Sequence, residues 1–158
     1  MSVSMEQRLA ALDLIARAAN SLDADRMEDW AECFFEDGSY QILSRENVER
    51  GLPLPLFMAE NKQMIRDRVL SLRKANVTNP HRDRHIIGPA EMRAGADGEV
   101  VSEAGFAVYS TTPEGVSRLF SLGVYKDRIQ IGDAGARFVE RTAIVDMFSI
   151  PTMLSTPV

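Results

Sequence analysis

His81, Asp83 and His85 lie within one five-residue stretch, and two histidines with a carboxylate are the usual protein ligands of a mononuclear non-haem iron. Spacing argues against that use. On a helix the two imidazoles would share a face, but Pro80 and the β-rich residues after His85 favour an extended path. In a strand they would share a side yet stand roughly 13 Å apart at the usual rise, too far for one metal. His85 is therefore read as a partly buried, hydrogen-bonded residue at the start of a strand, and His81 as a loop residue. The intervening Arg82-Asp83-Arg84 cluster has two readings: a solvated ion-pair patch of little energetic value, or a charge-complementary contact with another chain. Cys33 is read as an inert packed thiol, since nothing near it in sequence would lower its pKa.

Helices in the first half and strands in the second must position these groups. Leu9, Leu12, Ile15, Ala16 and Ala19 recur at three- and four-residue spacing and predict an apolar helix stripe. Asp23 or Asp25 is a candidate cap for a second helix, with Met27, Trp30 and Phe34 on its buried face. Asp37-Gly38 would break that helix before a short strand over Ser39 to Leu43. Gly51 to Pro55 reads as irregular, and a third helix carries Met64, Ile65, Val69 and Leu72 before Asn79-Pro80 ends it.

Segments His85–Met92, Glu99–Thr111, Val116–Ile131 and Ala136–Phe148 then read as strands, joined by Gly95-Ala96-Asp97-Gly98, Thr112-Pro113-Glu114-Gly115 and Gly132-Asp133-Ala134-Gly135. These are turn chemistries suited to sequential antiparallel hairpins, so the class is α+β. In the longest segment Phe120, Leu122 and Val124 share one face, with Leu119, Tyr125, Ile129 and Ile131 on the other. Apolar residues on both faces imply two coverings: helices on one side, and on the other either a further chain or the sheet's own curvature closing on a pocket. The expected organisation is one domain over 1–158, helical over about 5–75, sheet over about 84–148, with a tail at 149–158.

Composition narrows the class of function. The chain has 158 residues, a net charge of −5 and 26% charged side chains, which disfavours binding to nucleic-acid phosphates or to an anionic membrane surface. Its single cysteine excludes an intrachain disulfide and suits a reducing compartment. Met1 to Gln7 lack the basic and apolar regions of a signal peptide, so a cytoplasmic location is expected.

Three segments, in this order and spacing, carry a resemblance. They are the acidic run Arg26-Met27-Glu28-Asp29-Trp30-Ala31-Glu32-Cys33-Phe34-Phe35-Glu36-Asp37-Gly38-Ser39-Tyr40, the segment His81-Arg82-Asp83-Arg84-His85-Ile86-Ile87-Gly88, and the hairpin array through Arg137-Phe138-Val139-Glu140-Arg141. From about Leu9 to Phe148 the chain resembles the small (beta) subunit of aromatic-ring-hydroxylating Rieske oxygenases, nearest the branch of terephthalate dioxygenase and salicylate 5-hydroxylase. The resemblance implies a nuclear transport factor two-like cone of three helices packed into a strongly bent, mostly antiparallel sheet. It also implies a hexamer of three small and three large (alpha) subunits. The large subunit would carry the 2Fe-2S Rieske cluster, the mononuclear iron and the substrate pocket, and a ferredoxin or reductase would feed it electrons. The small subunit would be architectural, with no catalytic or metal-binding residue of its own.

The residues fit that division of labour. A Rieske cluster needs two Cys and two His, and these 158 residues hold one cysteine, Cys33. Arg82, Asp83, Arg84 and His85 become candidates for contact with the large subunit, as do Met153 and Leu154, apolar choices for a tail left in water. The same cone also hosts self-sufficient isomerases and dehydratases. A catalytic alternative therefore places Asp29 or His85 as general base, with Tyr40 or Tyr109 as hydrogen-bond donor, in a pocket inside the cone.

Overall fold

A computed structural model describes residues 2–52, 54–74, 80–146 and 157–158. Helix α1 (Met5–Asp23) begins at a reciprocal cap: Ser4 Oγ accepts from the Gln7 amide and the Gln7 side chain accepts from the Ser4 amide. Its buried face is Ala11, Leu14, Ile15, Ala18, Ala19 and Leu22. Ile15 and Ala19 of the expected stripe are there, but Leu9, Leu12 and Ala16 face outward. The buried stripe runs instead through Leu14, Ile15, Ala18 and Leu22, one face over from Leu9 and Leu12.

Helix α2 (Met27–Ala31) is a single turn or so, and its N-cap is Arg26 rather than Asp23 or Asp25. Asp25 sits in the left-handed region at φ 57°, in the tight link between the helices, while the Asp23 carboxylate is engaged elsewhere. Trp30 is core, as expected, but Phe34 reaches it from strand β1 (Phe34–Ser44) and not from the helix. Phe34 and Tyr40 both meet the indole edge to face, at 5.3 and 5.1 Å between centroids.

Asp37-Gly38 does not end a helix; it forms a bulge inside β1, where the register against β6 (Gly135–Val145) jumps between Phe34 and Ser39. A Cβ on Gly38 would lie 2.9 Å from the carbonyl oxygens of Phe138 and Phe35, so only glycine fits. The chain continues through a short helix α3 (Arg45–Glu49), capped by Ser44, and strand β2 (Phe57–Ala59). Helix α4 (Lys62–Lys74) is the predicted third helix, burying Ile65 and Val69.

Strands β3 (Arg82–Ala94), β4 (Val100–Thr111) and β5 (Ser117–Gly132) follow, and the hairpin joints fall where the turn chemistry put them. The six strands form one sheet in the order β2-β1-β6-β5-β4-β3, antiparallel except for the parallel β1–β6 pair. Register shifts in every long pairing, together with Gly123, curl it around the helices. A Cβ on Gly123 would be 2.0 Å from the Ile144 carbonyl oxygen. Helix α1 packs against β3, β5 and β6, and the concave face and helices share one apolar core running from Leu14 to Phe138. This is the α+β cone that the segment order implied.

Candidate functional site

Two regions of the sheet hold side chains that go beyond packing. On the concave face, Asp127 and Arg141 form a buried two-pronged pair, with Arg141 Nε and Nη2 each donating at 2.8 Å to the carboxylate. The guanidinium lies 3.9 Å from the ring centre of Tyr125 and 4.2 Å from that of Phe138. Burial by itself would lower the Arg141 pKa, but the Asp127 carboxylate outweighs it and the guanidinium stays charged. Burial likewise pushes the phenols of Tyr40 and Tyr125 well above the ordinary tyrosine range. The Tyr40 hydroxyl donates to the Val158 carbonyl at 2.7 Å and accepts from its amide at 3.1 Å.

At the other end of the concave face, Asp23 at the end of α1 reaches His85 on β3. Its carboxylate accepts from the His85 backbone amide at 2.9 and 3.1 Å and lies 2.6 Å from Nδ1. Both side chains are almost fully buried, at 4% and 1% exposure. His85 thus holds the hydrogen-bonded place expected of it, but it does not reach the surface to touch a partner directly. Asp83 points the same way and is mostly covered, with His81 Nε2 3.5 Å from it, whereas Arg82 and Arg84 are exposed. Of the six candidate contact residues, the arginine pair is what the strand turns outward. Met153 and Leu154 lie outside the described residues.

The four residues of the catalytic alternative do not converge. Tyr40 and His85 are buried on the concave side, bonded to Val158 and Asp23 respectively. Asp29 is 59% exposed and pairs with Arg26, and Tyr109 is 40% exposed on the outer face. Sequence reading missed Asp23 as the partner of His85, since 62 residues separate them and Asp23 reads locally as a helix cap. The thiol of Cys33 is raised in pKa by burial, in keeping with an unreactive packed cysteine. Among the described residues no group of three or more His, Cys, Asp or Glu side chains could hold a metal ion. One cysteine likewise does not fit the ligand set of a Rieske cluster.

The outer face is divided along the strands. Toward one end, cross-strand rows of Arg84–Tyr109–Leu119 and Ile86–Ala107–Leu122 leave Ile86 56%, Leu122 41% and Leu119 39% exposed. Leu119 was expected on the face of Tyr125; the register shift between Val108 and Tyr109 turns it outward instead. Toward the other end, Lys126 pairs with Glu103 and Arg128 bridges Glu99 and Glu140. An aliphatic patch beside an ion-pair ladder is the pattern of an interface core with a polar rim. Further acidic groups are tied down on the helices, where Arg73 holds Glu28 to a pKa of about 2.

A cone with its ion pairs buried inside and a bare apolar patch outside is built like a subunit that joins others. The chain belongs to the ring hydroxylating beta subunit family, whose pattern it matches over residues 17–152. It is 37% identical to the anthranilate 1,2-dioxygenase small subunit of Burkholderia cepacia, over 90% of this chain and 88% of that one. Against the terephthalate 1,2-dioxygenase terminal oxygenase beta 2 subunit of Comamonas sp. it is 30% identical, covering 90% and 92%. Its fold superimposes with a TM-score of 0.85 on the assigned beta subunit of an aromatic-ring-hydroxylating dioxygenase from Novosphingobium aromaticivorans, at 38% identity over 94% and 95% of the two chains. The chain is thus a beta subunit of the ring-hydroxylating oxygenase class, an oxidoreductase system with an alpha oxygenase partner.

Proposed function

We propose that this chain is the non-catalytic scaffold of an oxygenase that hydroxylates an aromatic acid, in a cytoplasmic hexamer of three large and three small subunits. The observation that carries the reading is the exposed apolar patch of Ile86, Tyr109, Leu119 and Leu122, flanked by Arg84. Such a patch gains free energy when a second chain covers it, about 25 cal/mol for each Å² of apolar surface removed from water. The arginines beside it supply orientation through their planar forks. Relatives named for anthranilate and terephthalate support a carboxylated aromatic substrate, bound by the large subunit. In this reading the Rieske cluster and mononuclear iron sit in the large subunit, and a ferredoxin or reductase delivers electrons there. The small chain holds neighbouring large subunits in register.

The test is to purify the chain alone and with its large partner, recording mass, iron content and visible absorption. A colourless, iron-free chain that joins a coloured hexamer supports the proposal. Arg84→Ala and Leu122→Lys should then reduce hexamer yield on size exclusion. A chain that ignores the large subunit, or that turns over a small substrate by itself, would reject it.

A further inference from the structure

We propose that the cone contains a peptide-binding slot headed by the Tyr40 hydroxyl, and that Pro157 and Val158 of the chain itself fill it. Tyr40 lies within β1, between β2 and β6, and 118 positions separate it from Val158. Its hydroxyl donates to the Val158 carbonyl and accepts from the Val158 amide, and it has no other partner among the described residues. One phenol thus engages both backbone groups of a single residue. Extended peptides are gripped in this way: main-chain hydrogen bonds hold them, and a pocket for the side chain selects them.

The room in this slot is shown by its occupant. Val158 is 1% exposed and belongs to the core cluster of Trp30, Phe34 and Tyr40, and Pro157 is buried as well. Neither residue lies in a helix or strand, so the slot holds them and secondary structure does not. The rings of Trp30, Phe34 and Phe57 stand around that of Tyr40, at 5.1, 6.1 and 5.8 Å between centroids. Burial keeps the phenol protonated, so its O–H stays a donor at physiological pH. Without Val158 that hydroxyl would be left with no partner among the described residues, a costly state for a buried group. The ligand class follows: a short peptide with a small branched apolar residue, whose N–H and C=O meet the phenol together. An acidic side chain is disfavoured, because the rings around Tyr40 offer its charge no partner.

The test uses the chain shortened by Pro157 and Val158, with Trp30, the sole tryptophan, as a reporter packed on Tyr40. Trp30 emission should shift to the red as water gains the emptied slot. The peptide acetyl-Thr-Pro-Val, which repeats residues 156–158, should reverse that shift saturably. Peptide on the order of millimolar is required, since a covalent link supplies an effective concentration of that size. Acetyl-Thr-Pro-Asp should leave the emission unchanged. Tyr40→Phe in the shortened chain should weaken the acetyl-Thr-Pro-Val response by roughly tenfold or more. Should the shortened chain not fold, full-length Val158→Asp gives the same reading by expelling the segment, with acetyl-Thr-Pro-Val again restoring the emission. Trp30 emission indifferent to the loss of the two residues would overturn the proposal. So would an equal response to both peptides, or a response to acetyl-Thr-Pro-Val untouched by Tyr40→Phe.

Discussion

Two carboxylates are buried inside the cone, one on the sheet and one at the end of α1, and they are paired differently. Asp127 is matched prong for prong by Arg141, which is sandwiched between the rings of Tyr125 and Phe138. Asp23 is matched by His85 through three close contacts, yet the far nitrogen of that imidazole has no partner among the described residues. A closed pair stiffens the wall of the cone. The other leaves a buried ring nitrogen without a partner among the described residues. Both bury a carboxylate, so the difference lies in how many donors and acceptors each basic partner brings and how many the protein satisfies.

The largest effect should come from breaking the closed pair. Arg141→Met leaves Asp127 as an uncompensated buried charge and should cost about 3–5 kcal/mol in urea unfolding. The double replacement Arg141→Met with Asp127→Leu should recover most of that loss; no recovery would mean that the stacked guanidinium matters more than charge balance. Breaking the open pair should cost less. Asp23→Ala strips the acceptor from the His85 amide and Nδ1, and about 2 kcal/mol of stability should go with it.

Outside the cone the same measurement should barely respond. Leu122→Lys should leave the free chain within about 0.5 kcal/mol of its parent. It should nevertheless weaken association with the large subunit by about 2 kcal/mol, roughly thirtyfold, as read by titration of one subunit with the other. The smallest effect belongs to Glu28→Gln, whose exposed pair with Arg73 is worth less than about 1 kcal/mol. Arg73 lowers the Glu28 pKa from 4.5 to about 2, so this contribution is present above the unfolded value. It should fade as pH falls toward 2, and the variant and its parent should converge there.

Local signals made much of this fold readable. Glycine-containing turns located the three hairpins of β3 to β6, and Trp30 was placed in the core by helical spacing. What failed was decided at long range. Asp37-Gly38 looks like a helix stop until β6 lies beside it and makes it a bulge. Leu9 and Leu12 fit the helical spacing, yet the sheet takes the face of Leu14, Ile15 and Leu22 and leaves those two outside. The site suffered more: His85 was legible as a bonded residue, but Asp23 carries no sequence sign of reaching across 62 positions to hold it. Leu119 was misassigned because one bulge reverses the face of every residue beyond it.

The parallel pairing of β1 with β6 has a consequence in time. Gln41 and Thr142, hydrogen-bonded neighbours in the finished sheet, are 101 positions apart in the chain. During synthesis at roughly 5–20 residues per second, β1 leaves the ribosome several seconds before its partner is made. In the interval it can pair with β2 alone, and a two-stranded ribbon is marginal in water. Pairing of so distant a contact is intrinsically slow. The helices and first strand must therefore wait for the last strand, and the cone closes late, as its final hairpin arrives.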